Sequence, residues 1–165
     1  MWIPLTAALV GVAQAGSEIG TDRTLGLGAE VGNGTYLNLS GKVWLSEPAG
    51  ISFHAGTLFT YHEVGARFED NFLDFEFDWA DLPVWWFVGA DLGLYSALGY
   101  SAAQVGATGG VGAALQFTSF PGEAFVTTGV GVFPVNYCSG LNGYSGFYAG
   151  CWIQPRGTAG FRYYF

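Results

Sequence analysis

The last nine residues are Gly157-Thr158-Ala159-Gly160-Phe161-Arg162-Tyr163-Tyr164-Phe165, and they alternate as a β-strand does. Because side chains on a strand point alternately to two faces, one face carries Ala159, Phe161, Tyr163 and Phe165. The other face carries Thr158, Gly160, Arg162 and Tyr164. Chain termini are usually the least ordered parts of a domain. A strand that ends on an aromatic residue therefore predicts an apolar environment around that end.

The composition is that of a membrane protein without a spanning helix. Half of the 165 residues are hydrophobic, 18% are aromatic and 11% are charged, whereas about 25% are charged in typical soluble domains. Beyond the N-terminus, Gly, Thr, Asp or Glu interrupts every apolar run before it reaches the roughly 20 residues of a spanning helix. Closed barrels are the remaining way to satisfy backbone polar groups in lipid. The net charge of -8 argues against nucleic acid as a partner.

The N-terminal stretch from Met1 to Ala15 is predicted to be a signal peptide. A short apolar region precedes Ala13-Gln14-Ala15, a small-x-small pattern typical of a cleavage site before Gly16. A short membrane anchor is the alternative, and the length of the stretch disfavours it. The stretch contains neither Lys nor Arg, so the true translation start is left open. The mature domain is predicted to span 16–165.

Turn signals divide the mature chain into about eight alternating segments. In the clearest of these, Leu73, Phe75, Phe77 and Trp79 alternate with Asp74, Glu76 and Asp78. Turns are predicted at Asn33-Gly34, 47–50, 80–83 and 119–123, and longer connections at Val64 to Asn71 and Asn136 to Pro155. The fold class is therefore predicted to be all-β, a closed antiparallel transmembrane β-barrel of about eight strands in an up-and-down meander.

The polar face of these segments indicates which face points inward. It is dominated by Gly and small residues, and Gly weakens an exposed strand. The interior of an eight-stranded barrel is just wide enough for side chains to fill, so the Gly-rich face is predicted to line the lumen and the apolar face to contact lipid. Aromatic residues near the segment ends fit interfacial girdles: Tyr36, Tyr61, Trp79, Trp86, Phe117 and Tyr163.

Loop lengths predict the orientation. Outer-membrane barrels have short periplasmic turns and longer external loops. With both termini in the periplasm, the turns at Pro48, Leu82-Pro83 and Pro121-Gly122 are predicted to be periplasmic. The external loops are then predicted around Asn33, around Arg67, around Tyr100 and over 136–155.

The chain resembles the small eight-stranded barrels of the outer membrane protein A and OmpX superfamily of Gram-negative bacteria. These typically end in Phe with another aromatic residue two positions earlier, as Tyr163 and Phe165 do here. Gly41-Lys42-Val43-Trp44 and Arg162-Tyr163-Tyr164-Phe165 are more narrowly similar to short members without a periplasmic domain. The resemblance implies an outer-membrane location and contact with outer-membrane lipid. A monomer is expected, and the oligomeric state is left open. It also implies insertion by the barrel-assembly machinery, with Tyr163 and Phe165 as the C-terminal signal.

Eight ionisable residues fall on the predicted lumen face: Glu30, Lys42, His54, Asp74, Glu76, Asp78, Asp91 and Arg162. Buried charges must pair or be neutralised, so a salt-bridge network that fills the lumen is predicted. Glu30 is expected to accept from Arg162, Lys42 or both. The alternative is a narrow cation or small-solute pore with the four aspartate and glutamate residues from Asp74 to Asp91 as selectivity residues. Large aromatic residues on the inward face disfavour an open channel: Trp44, Phe87, Tyr95 and Tyr164.

The candidates for catalysis are Ser52, His54 and His62. Ser52 and His54 share a face and supply part of an acyl-transfer set. The membrane lipid A deacylases use a His-x-Ser order, and Ser52-Phe53-His54 reverses it, so their catalytic residues cannot be mapped here. Two histidines with carboxylates distant in sequence make no recognisable metal set. The chain is therefore predicted to be non-enzymatic, without cofactor or metal, and a lipid-modifying enzyme is the less favoured alternative.

Cys138 and Cys151 are the two cysteines of the chain, and both fall in the last predicted external loop. An exported protein with an even number of cysteines favours a disulfide. Closing a loop of about 15 residues contributes roughly 3 kcal/mol in the chain-entropy model. The loop is rich in Tyr, Ser, Gly and Asn, as adaptable binding loops are. A structural or surface-interaction role with this loop displayed outside is the predicted function, and the external ligand is left open.

Overall fold

The computed structural model describes Ile19 and residues 22–32, 35–46, 48–97, 100–139, 145–147 and 153–165. Side chains are described for these residues except 35–36, 97, 100, 135–139 and 145–147. The predicted signal peptide and its cleavage site lie outside the described residues.

Strands make up almost all of the described chain. They are β1 (Leu25–Gly32), β2 (Thr35–Ser46), β3 (Ala49–Leu58), β4 (Tyr61–Phe77), β5 (Ala80–Ala97), β6 (Tyr100–Phe117), β7 (Gly122–Ser139), β8 (Ser145–Phe147) and β9 (Ile153–Tyr164). Each strand from β1 to β7 pairs antiparallel with the next, and β9 pairs with both β7 and β1. The three-residue β8 extends the sheet beside β7. The predicted fold class, a closed antiparallel eight-stranded meander, is confirmed.

No helix in the described residues is long and apolar enough to cross a membrane.

The side chains have an inside-out distribution. Leu39 on the outer face is 74% exposed and Val130 is 52% exposed, whereas Lys42 and Arg162 inside are 1% and 2% exposed. Strands that alternate in this way, apolar outward and polar inward, are typical of transmembrane barrels. The predicted assignment of the two faces therefore agrees with the burial of the side chains.

Inward-facing glycines make room for large side chains of the lumen. A Cβ added to Gly112 would lie 2.5 Å from the Trp85 ring, and one added to Gly26 would lie 2.6 Å from the Tyr164 ring. Both rings are fully buried. The glycine-rich face thus interlocks with Trp and Tyr side chains across an interior too narrow for two bulky layers.

We call the end that carries the β4–β5 and β6–β7 turns and the start of β1 the termini end, and the opposite one the loop end. Aromatic rings form a continuous outer belt at the termini end. Phe77 stacks on Trp79, Trp79 contacts Phe117, and Phe117 stacks on Phe120 with centroids 4.9 Å apart. Phe120 in turn lies 6.2 Å from Phe161. Such a belt is typical of the girdle where a barrel meets the membrane interface.

The prediction of a loop at Val64 to Asn71, and of an external loop around Arg67, is wrong. β4 runs without a break from Tyr61 to Phe77, and the turn that precedes it is Phe59–Thr60. Arg67 and Glu69 in this stretch face the lumen as strand residues. Alternation is also offset inside β4 by a β-bulge between Asn71 and Leu73, which moves the inward positions from odd to even numbers.

Other boundaries also differ from the prediction. Ala49 and Gly50 of the predicted turn at 47–50 belong to β3. Residues 80–83 belong to β5, and the turn is at Asp78–Trp79. Glu123 belongs to β7 rather than to a turn. Much of the predicted connection at 136–155 is strand, since β7 continues to Ser139 and β9 begins at Ile153. Proline and glycine near these points suggested earlier ends than the paired backbone has.

Candidate functional site in the barrel interior

Buried polar side chains fill the barrel in two clusters. The termini-side cluster contains Glu30, Ser40, Lys42, Ser52, Glu69, Glu123 and Arg162, and the loop-side cluster contains His54, Tyr61, Glu63, Asp91, Gln104 and Arg156. Apart from Tyr61 and Gln104, which are half-buried, all of these residues are buried. Buried charges are stable only when paired and hydrogen-bonded, so the partners of each one determine what the interior can do.

Arg162 is the centre of the termini-side cluster. Its Nη1 donates to Glu123 Oε1 at 2.9 Å and its Nε donates to Ser40 Oγ at 2.9 Å. Ser40 Oγ donates in turn to Glu30 Oε2 at 3.1 Å, while Arg162 Nη2 lies 3.9 Å from the same oxygen. The expected contact between Glu30 and Arg162 therefore exists but is long and bridged by Ser40. The closer acid is Glu123, across the β7–β9 pair.

Lys42 pairs with Glu69, which lies in the stretch predicted to be a loop. Its Nζ lies 2.9 Å from Glu69 Oε2 and 3.9 Å from the centroid of the Trp44 ring. Ser52 Oγ donates to the other oxygen of Glu69. Glu69 rather than Glu30 is thus the partner of Lys42.

Glu63 is the centre of the loop-side cluster. Arg156 Nη1 donates to both of its oxygens, at 3.0 and 2.9 Å, and Tyr61 Oη donates to Oε2 at 2.6 Å. The prediction that Tyr61 belongs to an outer girdle is therefore wrong. His54 Nε2 lies 3.3 Å from Glu63 Oε1 and 3.6 Å from Asp91 Oδ1. Adjacent strands β3, β4 and β5 thus place one imidazole and two carboxylates together.

Five predicted lumen residues are buried in the barrel, namely Glu30, Lys42, His54, Asp91 and Arg162. The other three, Asp74, Glu76 and Asp78, are exposed instead. They lie on the part of the β4–β5 hairpin that extends beyond β3, because β3 begins at Ala49, which pairs with Asp70. Asp74 and Glu76 line a cavity of about 450 Å³ at the termini end, next to Ile19 and Trp44.

Six buried ionisable residues were missed: Glu63, Arg67, Glu69, Asp81, Glu123 and Arg156. A signal for three of them was present, because Glu63, Arg67 and Glu69 alternate with the outward-facing Val64 and Phe68. This alternation predicts a strand just as clearly as the alternation in the aromatic segment from Leu73 to Trp79 does. Glu123 and Arg156 stand beside turn residues, and nothing in their local sequence separates a lumen position from a loop position.

Aromatic rings close the space around the cations. Arg162 lies over the Phe125 ring at 3.9 Å, Arg156 over the Phe133 ring at 4.6 Å, and Arg67 over the Phe87 ring at 5.2 Å. Phe125, Phe133 and Phe87 are at most 4% exposed. The guanidinium groups of Arg156 and Arg162 are each paired with a carboxylate on one side and stacked on a ring on the other, which holds them in place as part of a packed core.

Ser52 and His54 do not form a nucleophile and base pair. The Ser52 hydroxyl donates to Glu69 in the termini-side cluster, while His54 Nε2 faces Glu63 and Asp91 in the loop-side cluster. A serine nucleophile requires a base within hydrogen-bond reach of its hydroxyl. The geometry here gives each of the two residues a different partner.

Two other predicted site residues, Tyr163 and Phe165, lie outside the lumen. Tyr163 and Phe165 are on the outer face, 44% and 65% exposed, with their rings in edge contact at 5.2 Å. The backbone N–H of Phe165 donates to Leu25 O at 2.9 Å, which extends the seam between β9 and β1. The predicted Cys138–Cys151 disulfide lies outside the described residues, as does the side-chain arrangement of the loop between them.

The geometry thus shows a closed eight-stranded barrel with an apolar exterior and a charged, packed interior, an arrangement that fits a membrane β-barrel. Comparison with known proteins adds no relative to this description. No protein-family model, no curated protein and no solved structure matches the chain.

Proposed function

We propose that this protein is an integral outer-membrane β-barrel of a Gram-negative bacterium with a structural or surface-interaction role. The observation that carries the proposal is the outer face, where large apolar side chains stay exposed along every strand from β1 to β7 and along β9. Soluble monomers rarely expose apolar patches larger than a few hundred Å². Lipid around the whole barrel accounts for such a surface. The aromatic girdle marks the border of this apolar surface at the termini end.

The resemblance to the outer membrane protein A and OmpX superfamily supports the location and the orientation. With the termini end in the periplasm, the connection between β7 and β9 is the largest external one. A Cys138–Cys151 disulfide would close this connection on the oxidising side of the inner membrane. Display of the closed loop to a partner outside the cell is the surface-interaction role that we propose.

The packing of the lumen favours this role over a narrow cation pore. Lys42, Arg156 and Arg162 each have a carboxylate oxygen at 2.9 Å. Trp85 and Phe87 fill the space near the β4–β5 pair and are 0% and 4% exposed. Three of the four acids proposed as selectivity residues lie beyond the lumen, which leaves Asp91 as the inner one. An interior filled in this way gives an ion no continuous wet path.

Planar-bilayer recording separates the two roles. We expect the purified barrel to give no steady conductance steps, with heat-denatured protein and detergent alone as controls. Steady, cation-selective steps that disappear in Asp91→Asn would contradict the closed lumen and support the pore.

Removing Phe165 is expected to reduce assembly in the cell much more than stability. The ring is 65% exposed, so its loss removes little buried area from the folded barrel. If the barrel-assembly machinery reads Tyr163 and Phe165, however, the amount of folded protein in the outer membrane should fall several-fold. The measurement compares outer-membrane yield in cells with refolding of the purified chain in detergent. Ile153→Ser, which changes an equally exposed residue (70%) of the same strand, is the control. Equal loss from both variants in cells would show that the signal is elsewhere.

A further inference from the structure

We propose that His54, Glu63 and Asp91 form a binding site for a divalent transition-metal ion of the Zn²⁺ type inside the barrel. The three residues are buried, and they come from the adjacent strands β3, β4 and β5. One potential ligand atom from each lies within 4.8 Å of the other two.

Two of the three spacings between the donor atoms fit a small cation. His54 Nε2 is 3.3 Å from Glu63 Oε1 and 3.6 Å from Asp91 Oδ1. Two ligands that bind tetrahedral Zn²⁺ at about 2.1 Å are roughly 3.4 Å apart. An ion could therefore sit between these three atoms with small side-chain adjustments.

Asp91 is a buried carboxylate without a hydrogen-bond donor among the described residues. It is 2% exposed, and within the described part of the chain neither of its carboxylate oxygens accepts a hydrogen bond. Its ion-pairing neighbours within 4 Å are His54 Nε2 at 3.6 Å and Arg156 Nη2 at 3.9 Å, and the charge of Arg67 also acts on it. A buried carboxylate without hydrogen bonds is costly, and such a group in a native structure requires an explanation. A bound cation would supply the missing partner.

Gly65 leaves the space in which the donors converge. It pairs with His54 on one side and with Asp91 on the other, in the middle of the three strands. A Cβ at this position would collide with Asp91 Oδ1 and would lie 2.8 Å from His54 Nε2. Any larger residue would therefore push the two ligands apart.

Tyr61 and Arg156 orient the third ligand. Both donate to Glu63 Oε2, at 2.6 and 2.9 Å, while Oε1 faces His54. Outer groups that fix a ligating carboxylate in this way are a regular part of metal sites. Arg156 Nη1 also lies 3.0 Å from Oε1, so metal binding would weaken that second contact and keep the first.

The donor set favours a transition metal over Ca²⁺ or Mg²⁺. Ca²⁺ and Mg²⁺ prefer oxygen ligands alone, whereas imidazole with carboxylates suits Zn²⁺ and its neighbours. With a neutral His54, the charges of Glu63, Asp91, Arg156 and the nearby Arg67 sum to zero, and a divalent ion adds two positive charges. The competing arrangement is a protonated His54 that balances the acids without any metal.

Zn²⁺ binding to the full chain folded in detergent micelles tests the proposal. We expect about one tightly bound ion per chain by elemental analysis after gel filtration. We also expect Zn²⁺ in excess to raise the midpoint temperature of unfolding by roughly 5 °C, because it binds only the folded state. His54→Gln and Asp91→Asn should each weaken binding at least tenfold. The matched control is His62→Gln, since His62 is exposed on the outer face of β4, and this variant should bind as the unchanged protein does.

Two results would overturn the proposal. One is a folded protein that retains no Zn²⁺ above the detergent blank. In that case the cluster is an ion-pair network with a protonated His54 and no metal. The other is binding that survives in His54→Gln or is lost in His62→Gln. If the lumen variants fail to fold, X-ray absorption spectroscopy of the Zn²⁺-loaded His62→Gln protein identifies the donor atoms around the ion. One nitrogen donor from the remaining histidine supports the site, and a shell of oxygen donors alone contradicts it.

Discussion

Arg162→Met is expected to lower the free energy of unfolding of the barrel by about 3–5 kcal/mol, because it leaves buried acids without their cation. Glu123 is 0% exposed and lies 2.9 Å from Arg162 Nη1, and Glu30 is 2% exposed. The variant also removes the cation above the Phe125 ring. Urea unfolding in detergent, followed by tryptophan fluorescence, measures the loss.

A double-mutant cycle with Glu123→Gln assigns the effect to one pair. Arg162→Met should cost much less in the Glu123→Gln background than alone, since the uncompensated charge is then absent. The same cycle with Glu30→Gln should give a smaller coupling, because the 3.9 Å contact of Glu30 is bridged by Ser40. Simple addition of the Arg162 and Glu123 effects would contradict the interior network described here.

Val111→Arg is expected to impair insertion and to lower stability by about 2–4 kcal/mol, the cost of an arginine near the bilayer midplane of a barrel. Val111 is 46% exposed on the outer face and lies in the central part of the strand β6 (Tyr100–Phe117). Its pairing partners Trp86 and Thr128 are also exposed. The measurement is the folded fraction after refolding into lipid vesicles, together with the urea midpoint.

Thr57→Arg is the matched control for Val111→Arg. Thr57 also points outward, but it stands at the loop end of β3 beside the Phe59–Thr60 turn. Charges near the membrane interface cost only about 0–1 kcal/mol. Equal effects of the two arginines would mean that the outer surface does not face lipid.

The sequence was sufficient to predict the class of fold because the rule behind it is local. Alternation with period two, a low charge content and glycines on one face are readable within each segment, as in the strand that ends at Arg162-Tyr163-Tyr164-Phe165. The number of strands and the direction of both faces follow from the same rule. Lys42 and Arg162 could be placed inside on these grounds alone.

The partners inside the lumen could not be predicted in the same way, because they depend on register between strands. Lys42 reaches Glu69 two strands away, and Arg162 reaches Glu123 on the neighbouring strand. The loop-side cluster combines residues as far apart in the chain as His54 and Arg156 through Glu63. The bulge between Asn71 and Leu73 shifts the alternation of inward and outward side chains in the rest of β4 by one residue. The local sequence of that stretch does not predict the bulge. Such a shift reverses which residues of the strand face inward.

The central claim is that the chain is a membrane-inserted closed barrel, and heat-modifiable gel mobility combined with membrane fractionation tests it most directly. After expression of the full chain in a Gram-negative host, we predict that the protein is recovered with the outer membrane. We also predict that unboiled and boiled samples migrate differently, because a closed barrel resists detergent until it is heated. A protein that stays in the soluble fraction and migrates identically with and without boiling would contradict the account.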